Sequence, residues 1–166
     1  KAPKGGVWAV DLDADGNPSG VLPAVYDHAV GTDDETPWGF SPEASAVVLN
    51  LGTNDMATGD PGQAYVTATA AFLDDVRAWY PEAWIVLAAG SMLGDAERAT
   101  IIGYLETVRD ARAEGGDERV SVLDLGVQDL GADGSVPTGC DWHPNVADHA
   151  RMASLLEGEL RDRLGW

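Results

Sequence analysis

From Ala46 onward the chain alternates between short apolar runs and longer stretches whose apolar residues recur every three or four positions. Residues 46–51, Ala-Val-Val-Leu-Asn-Leu, form a largely apolar run that stops at Gly52. Such a run suits a strand buried on both faces, as in a parallel sheet. Residues 63–80 change to helical spacing: Tyr65, Thr69, Phe72, Leu73, Val76 and Tyr80 share a face, and Pro81 ends it. Residues 83–89 read as a second buried strand. Residues 95–114 read as a second helix, with Ile101, Leu105, Val108 and Ala111 in line before Gly115-Gly116. A third strand is expected at 120–125. A last helix is expected at 145–164, where Met152 or Ala153, then Leu156, Leu160 and Leu164 fall at helical spacing. Strand and helix in strict alternation predict an α/β domain with a parallel sheet.

The first 44 residues lack this order. They are rich in Gly, Pro, Asp and Thr, with a short helix or strand near 7–10, a helical turn over 21–28 and a polar loop over 30–42. No internal repeat or domain boundary is visible, so residues 1–166 read as one domain.

Composition removes some functions from view. Acidic residues number 28 against 10 basic ones, a net charge of −18. Such a surface repels nucleic acid and anionic membranes but not a neutral sugar. No apolar run approaches the ~20 residues that a membrane span needs. The single cysteine, Cys140, excludes a disulfide framework within the chain. Its thiol either pairs outside the chain or is buried.

Ligands of an open α/β sheet gather at the carboxyl ends of the strands. There the chain places Gly52-Thr53-Asn54-Asp55 after the first strand, Gly90-Ser91 after the second, and Gly139-Cys140-Asp141-Trp142-His143-Pro144-Asn145 before the last helix. His143 has the chemistry of a general base that takes a proton from a hydroxyl nucleophile and returns it to a leaving alkoxide. Asp141 is the candidate to fix its tautomer, with a backbone carbonyl as the alternative. Asn54 carries a side-chain amide suited to an oxyanion, and Gly5 or Gly6 can add a main-chain N–H. Asp55 is read as the organiser of the Asn54 loop. Trp142 offers an aromatic face to a sugar ring, and Trp8 and Trp38 are weaker candidates. Ser91 sits at a strand end, but Gly90-Ser91-Met92-Leu93-Gly94 is not a nucleophile elbow. His28 and His149 are read as non-catalytic, with His149 packed against the sheet. Asp11, Asp13, Asp15 and Gly16 imitate the start of a calcium loop, but Leu22 stands where the bidentate acid belongs, so 11–16 reads as an acidic turn. No metal site is expected.

Gly52-Thr53-Asn54-Asp55 resembles the block of SGNH hydrolases that bears the oxyanion asparagine. Asp141-Trp142-His143-Pro144-Asn145 resembles their last block, which bears the catalytic histidine. The Asp-x-His-Pro-Asn form after Gly139-Cys140 is most similar to carbohydrate esterase family 2. The resemblance runs from about Gly5 to the C-terminus. It implies a three-layer α/β/α, flavodoxin-like fold and removal of acetyl groups from polysaccharides such as xylan and glucomannan, with no cofactor and outside the cell. It also implies a Gly-Asp-Ser nucleophile near the start of the domain, which this sequence lacks. The first strand and its serine are therefore expected upstream of Lys1, preceded by a β-sandwich domain. The 166 residues alone are expected to be inactive. A lipase or thioesterase of the same fold, and a carbohydrate-binding relic without catalysis, are the rival readings.

Overall fold

The computed structural model describes residues 23, 26–30, 33–39, 43–57 and 59–166. Its centre is a parallel sheet of β3 (Ala46–Asn50), β4 (Trp84–Ala89) and β5 (Val120–Asp124), in that order. Val47 pairs with Ile85, and Ile85 with Val120. Between the strands run α2 (Gly62–Trp79) and α3 (Asp95–Glu114), and α4 (Val146–Leu164) closes the chain. A one-turn helix, α1 (Thr53–Met56), follows β3.

Side chains alternate across a strand, so each strand supplies both faces of the sheet. On one face Val47, Leu49, Ile85, Leu87, Ala89 and Val120 join Tyr65, Phe72, Leu73 and Val76 of α2 and Ile101, Leu105 and Val108 of α3 in one core. The other face meets α4, where the Arg163 guanidinium lies 5.1 Å from the centre of the Trp84 ring. Helices thus lie on both sides of the sheet, in the three layers expected. The α4 side is thinner. Met152, Leu156, Leu160 and Leu164 are only half-buried, Ala153 is exposed, and Asp148 is the helix's buried residue.

Three expectations need correction. β3 is not buried on both faces: Val47 and Leu49 are covered, but Val48 is 40% exposed. It pairs only with β4 among the described residues, and local apolarity does not reveal which neighbours a strand will have. The loop expected over 30–42 contains β2 (Asp33–Pro37), which pairs antiparallel with β1 (His28–Val30) at its edge, His28 opposite Pro37. Main-chain bonds hold such a ladder, and a run of Asp, Glu and Thr gives it no alternating apolar signal. His149 does not pack on the sheet; it is exposed, and its neighbour Asp148 is the inward residue. One position is a turn of about 100° on a helix, enough to exchange inside for outside. Residues 21, 22, 24 and 25 of the expected helical turn over 21–28 lie outside the described residues, and His28 opens β1.

Candidate active site

The first turn at the strand ends is set by the core. After β3 the chain reverses at Gly52, whose φ of 112° belongs to glycine. A Cβ there would stand 2.9 Å from the Tyr65 hydroxyl and 3.2 Å from Ile101 Cδ1. That hydroxyl donates to the Leu51 carbonyl at 3.2 Å, so α2 holds the turn from below. Met56 N–H donates back to Gly52 at 3.1 Å and closes α1. The result leaves Asn54 exposed and sinks Asp55 to 1% exposure.

The second turn is built from main chain. Cys140–Trp142 form a 3₁₀ turn in which Asp141 and Trp142 adopt φ of 54° and 64°. Left-handed backbone costs an L-residue roughly 1–2 kcal/mol, so the turn must be held by bonds. Gly139 N–H donates to His143 O at 2.7 Å, and His143 N–H donates to Cys140 O at 3.2 Å. Gly139 admits no side chain, because a Cβ would meet Pro144 O at 2.8 Å. The His143 ring lies with Nδ1 3.1 Å from Cys140 O and 3.0 Å from Asp141 O. A carbonyl only accepts, so Nδ1 carries the proton and Nε2 is left as an acceptor. Of the two partners the sequence left open, the carboxylate and a backbone carbonyl, the ring meets main-chain carbonyls, that of Asp141 among them. His143 itself is exposed, as are Cys140, which is therefore not buried, and Trp142, at 76%.

Pro144-Asn145 starts α4. The Asn145 side chain accepts from Ala147 N and Asp148 N at 2.8 and 3.0 Å while donating to Pro137 O at 2.9 Å. Asp148 accepts from Asp129 N at 2.9 Å, and that bond, helped by Arg151, holds its carboxyl below the usual range although burial opposes. Arg151 also donates to the carbonyls of Leu125 and Val127, at 2.6 and 2.8 Å. The loop after β5 is therefore pinned to the start of α4.

Contacts lace these pieces into one sheet edge. A Cβ on Gly90, after β4, would meet Asn50 Oδ1 at 2.9 Å and Thr53 Oγ1 at 3.0 Å, beside Asn54. Ser91 O accepts from Gln128 N–H at 2.8 Å, and Gln128 Nε2 donates to Trp142 O at 3.3 Å, beside His143. Asn54 and His143 thus share the carboxyl edge of the sheet, though no hydrogen bond joins them. Ser91 is only 3% exposed, which removes its hydroxyl from any substrate. Gln128, Leu130, Gly134, Val136, Pro137, Thr138 and Trp142 line a cavity of about 380 Å³ next to the histidine turn. Among the described residues no cluster of three His, Cys, Asp or Glu side chains is set to hold a metal. No described helix is long and apolar enough to cross a membrane. Gly5, Gly6, Trp8 and the 11–16 acidic turn lie outside the described residues; Trp38 is exposed just after β2. The sequence reading missed Gln128, Asp148 and Arg151; only Asp148, an acid in the first turn of a helix, carried a local signal.

No family model matches the chain. The Cellulase/esterase CelE of Acetivibrio thermocellus is 36% identical over 131 residues, which are 78% of this chain and 16% of that protein. An acetylxylan esterase / glucomannan deacetylase of Cellvibrio japonicus is 26% identical over 150 residues, 87% of this chain and 38% of the relative. Among solved structures, a family two carbohydrate esterase from Clostridium thermocellum in complex with cellohexaose superposes with a TM-score of 0.79 at 32% identity. It covers 93% of this chain and 47% of its own. The chain spans less than half the length of each of these relatives.

Proposed function

The chain belongs to the family 2 carbohydrate esterases, within the SGNH hydrolases, and on that premise we propose that it carries the base and the oxyanion donors of an enzyme that removes O-acetyl groups from a polysaccharide. The observation that carries the reading is the His143 ring, its Nδ1 held by the carbonyls of Cys140 and Asp141 and its Nε2 left to accept a proton.

A serine supplied upstream of residue 1 gives its proton to Nε2 as its oxygen bonds to the ester carbon. The oxyanion so formed takes a hydrogen bond from the Asn54 amide and another from Gly5 or Gly6 N–H. The carbon–oxygen bond to the sugar then breaks, and His143 returns the proton to the leaving alkoxide. Water, deprotonated by the same nitrogen, releases acetate from the acyl-enzyme. Asp141 acts through its carbonyl, Asp55 anchors the Asn54 turn from within the core, and Trp142 lies against the sugar. Acetylated xylan or glucomannan is the proposed substrate, in keeping with the names of the relatives. An upstream β-sandwich domain and an extracellular setting belong to the same proposal.

A second reading, binding of a glucan chain without turnover, draws on the exposed Trp142 and on the relative solved with cellohexaose. Hydrolysis of 4-nitrophenyl acetate, butyrate and octanoate by the serine-bearing parent protein separates the readings. The esterase reading expects turnover that falls steeply from acetate to octanoate. No turnover together with retained cellohexaose binding would replace it with the second, and octanoate preference would turn it toward lipids.

A further inference from the structure

We infer that Gln128 is the positioning residue of the His143 base, locking the histidine turn to the end of β4. The inference rests on the esterase reading for its consequence in catalysis, but not for its geometry.

Among the described residues, every other hydrogen bond to Cys140–His143 is made within the 139–143 segment itself. Gln128 alone reaches in from elsewhere, with Nε2 3.3 Å from the Trp142 carbonyl. That carbonyl belongs to the peptide unit that joins Trp142 to His143. Fixing it fixes the direction in which the His143 Cα leaves the turn, and with it where Nδ1 meets its two carbonyls. The amide cannot be reversed at this point, because an oxygen facing the carbonyl oxygen would repel it.

The other end of Gln128 is equally fixed. Its N–H donates to Ser91 O at 2.8 Å, which continues the sheet edge past β4. Arg151 clamps the carbonyls of Leu125 and Val127 just before it. Gly90, next to Ser91, packs against Asn50 and Thr53, which flank the Asn54 turn. Gln128 is therefore the side-chain link between the strand end that neighbours the oxyanion donor and the turn that carries the base. A pair of left-handed residues persists only where surrounding contacts hold it, and Asn145, bonded to Pro137 O, closes the segment outside the turn while Gln128 holds the turn itself.

The test reads the ring nitrogens of His143 by NMR in the 166-residue chain labelled at histidine, which has three histidines. The wild type is expected to show one tautomer, with the proton on Nδ1. Gln128→Leu removes the donor and is expected to yield a mixture of tautomers, while the His149 signals and the thermal midpoint stay put. Gln128→Glu, similar in length but only an acceptor when ionised, is expected to act likewise, and serves if the leucine variant does not fold. In the parent enzyme either change is expected to lower kcat about tenfold to a hundredfold with KM unchanged, as for a slightly misplaced catalytic group. A single Nδ1-protonated tautomer retained in both variants would overturn the inference. The ring-nitrogen readout needs no ester turnover, so it stands or falls apart from the esterase reading.

Discussion

At the turn that carries Asn54, the left-handed residue is a glycine sunk against Tyr65 and Ile101. At the turn that carries His143, it is a pair of residues with side chains, Asp141 and Trp142, both exposed. The proposed oxyanion donor is thus placed by the hydrophobic core, and the proposed base by a small lattice of main-chain bonds tied to the sheet through Gln128. The difference predicts how each fails. Damage near Asn54 acts through the fold, whereas damage near His143 acts on the geometry of one ring with the fold intact.

Removing the Asn54 amide tests the first turn at its tip. Asn54→Ala leaves the core alone, since the side chain is exposed. In the proposed serine-bearing parent it is expected to lower kcat by about 10²–10³, the usual cost of one oxyanion donor, with unfolding unchanged. A drop in stability of similar size would show that the side chain is structural.

Gly52→Ala tests the same turn at its base. The new methyl meets the Tyr65 hydroxyl and Ile101 in a backbone region that alanine avoids. Left-handed strain and overpacking together are expected to cost about 2–4 kcal/mol in urea unfolding of this chain. A loss below about 1 kcal/mol would mean that the turn relaxes easily and is not set by the core. The corresponding alteration at the second turn, Gln128→Leu, is expected to leave stability nearly untouched.

The elements were legible where the signal is local. The helix over 95–114 was read to its final boundaries because apolar residues recur at helical spacing and a glycine pair stops it. The helix at 63–80 differs from α2 by a residue at each end. β4 announced itself as an unbroken apolar run, and Ile85–Ala89 are all buried. What failed depends on neighbours. Val48 is as apolar as Val86, yet only β4 has β-strand partners on both sides among the described residues. The site shows the same limit. The motif singles out His143 and Asp141 as candidates, but spacing cannot distinguish a carboxylate from the carbonyl of the same residue. Gln128 had no motif at all, because its partner lies fourteen residues away and is a main-chain oxygen.

His143 is proposed as the base, with main-chain carbonyls orienting its ring. The most direct test is kcat/KM for 4-nitrophenyl acetate in the serine-bearing parent, with His143→Ala and Asp141→Asn measured side by side. A loss of about 10²–10⁴ is expected for His143→Ala and less than about tenfold for Asp141→Asn, whose carbonyl survives the change. An Asp141→Asn loss of about 10⁴, the size seen when a carboxylate sets the histidine tautomer, would contradict it.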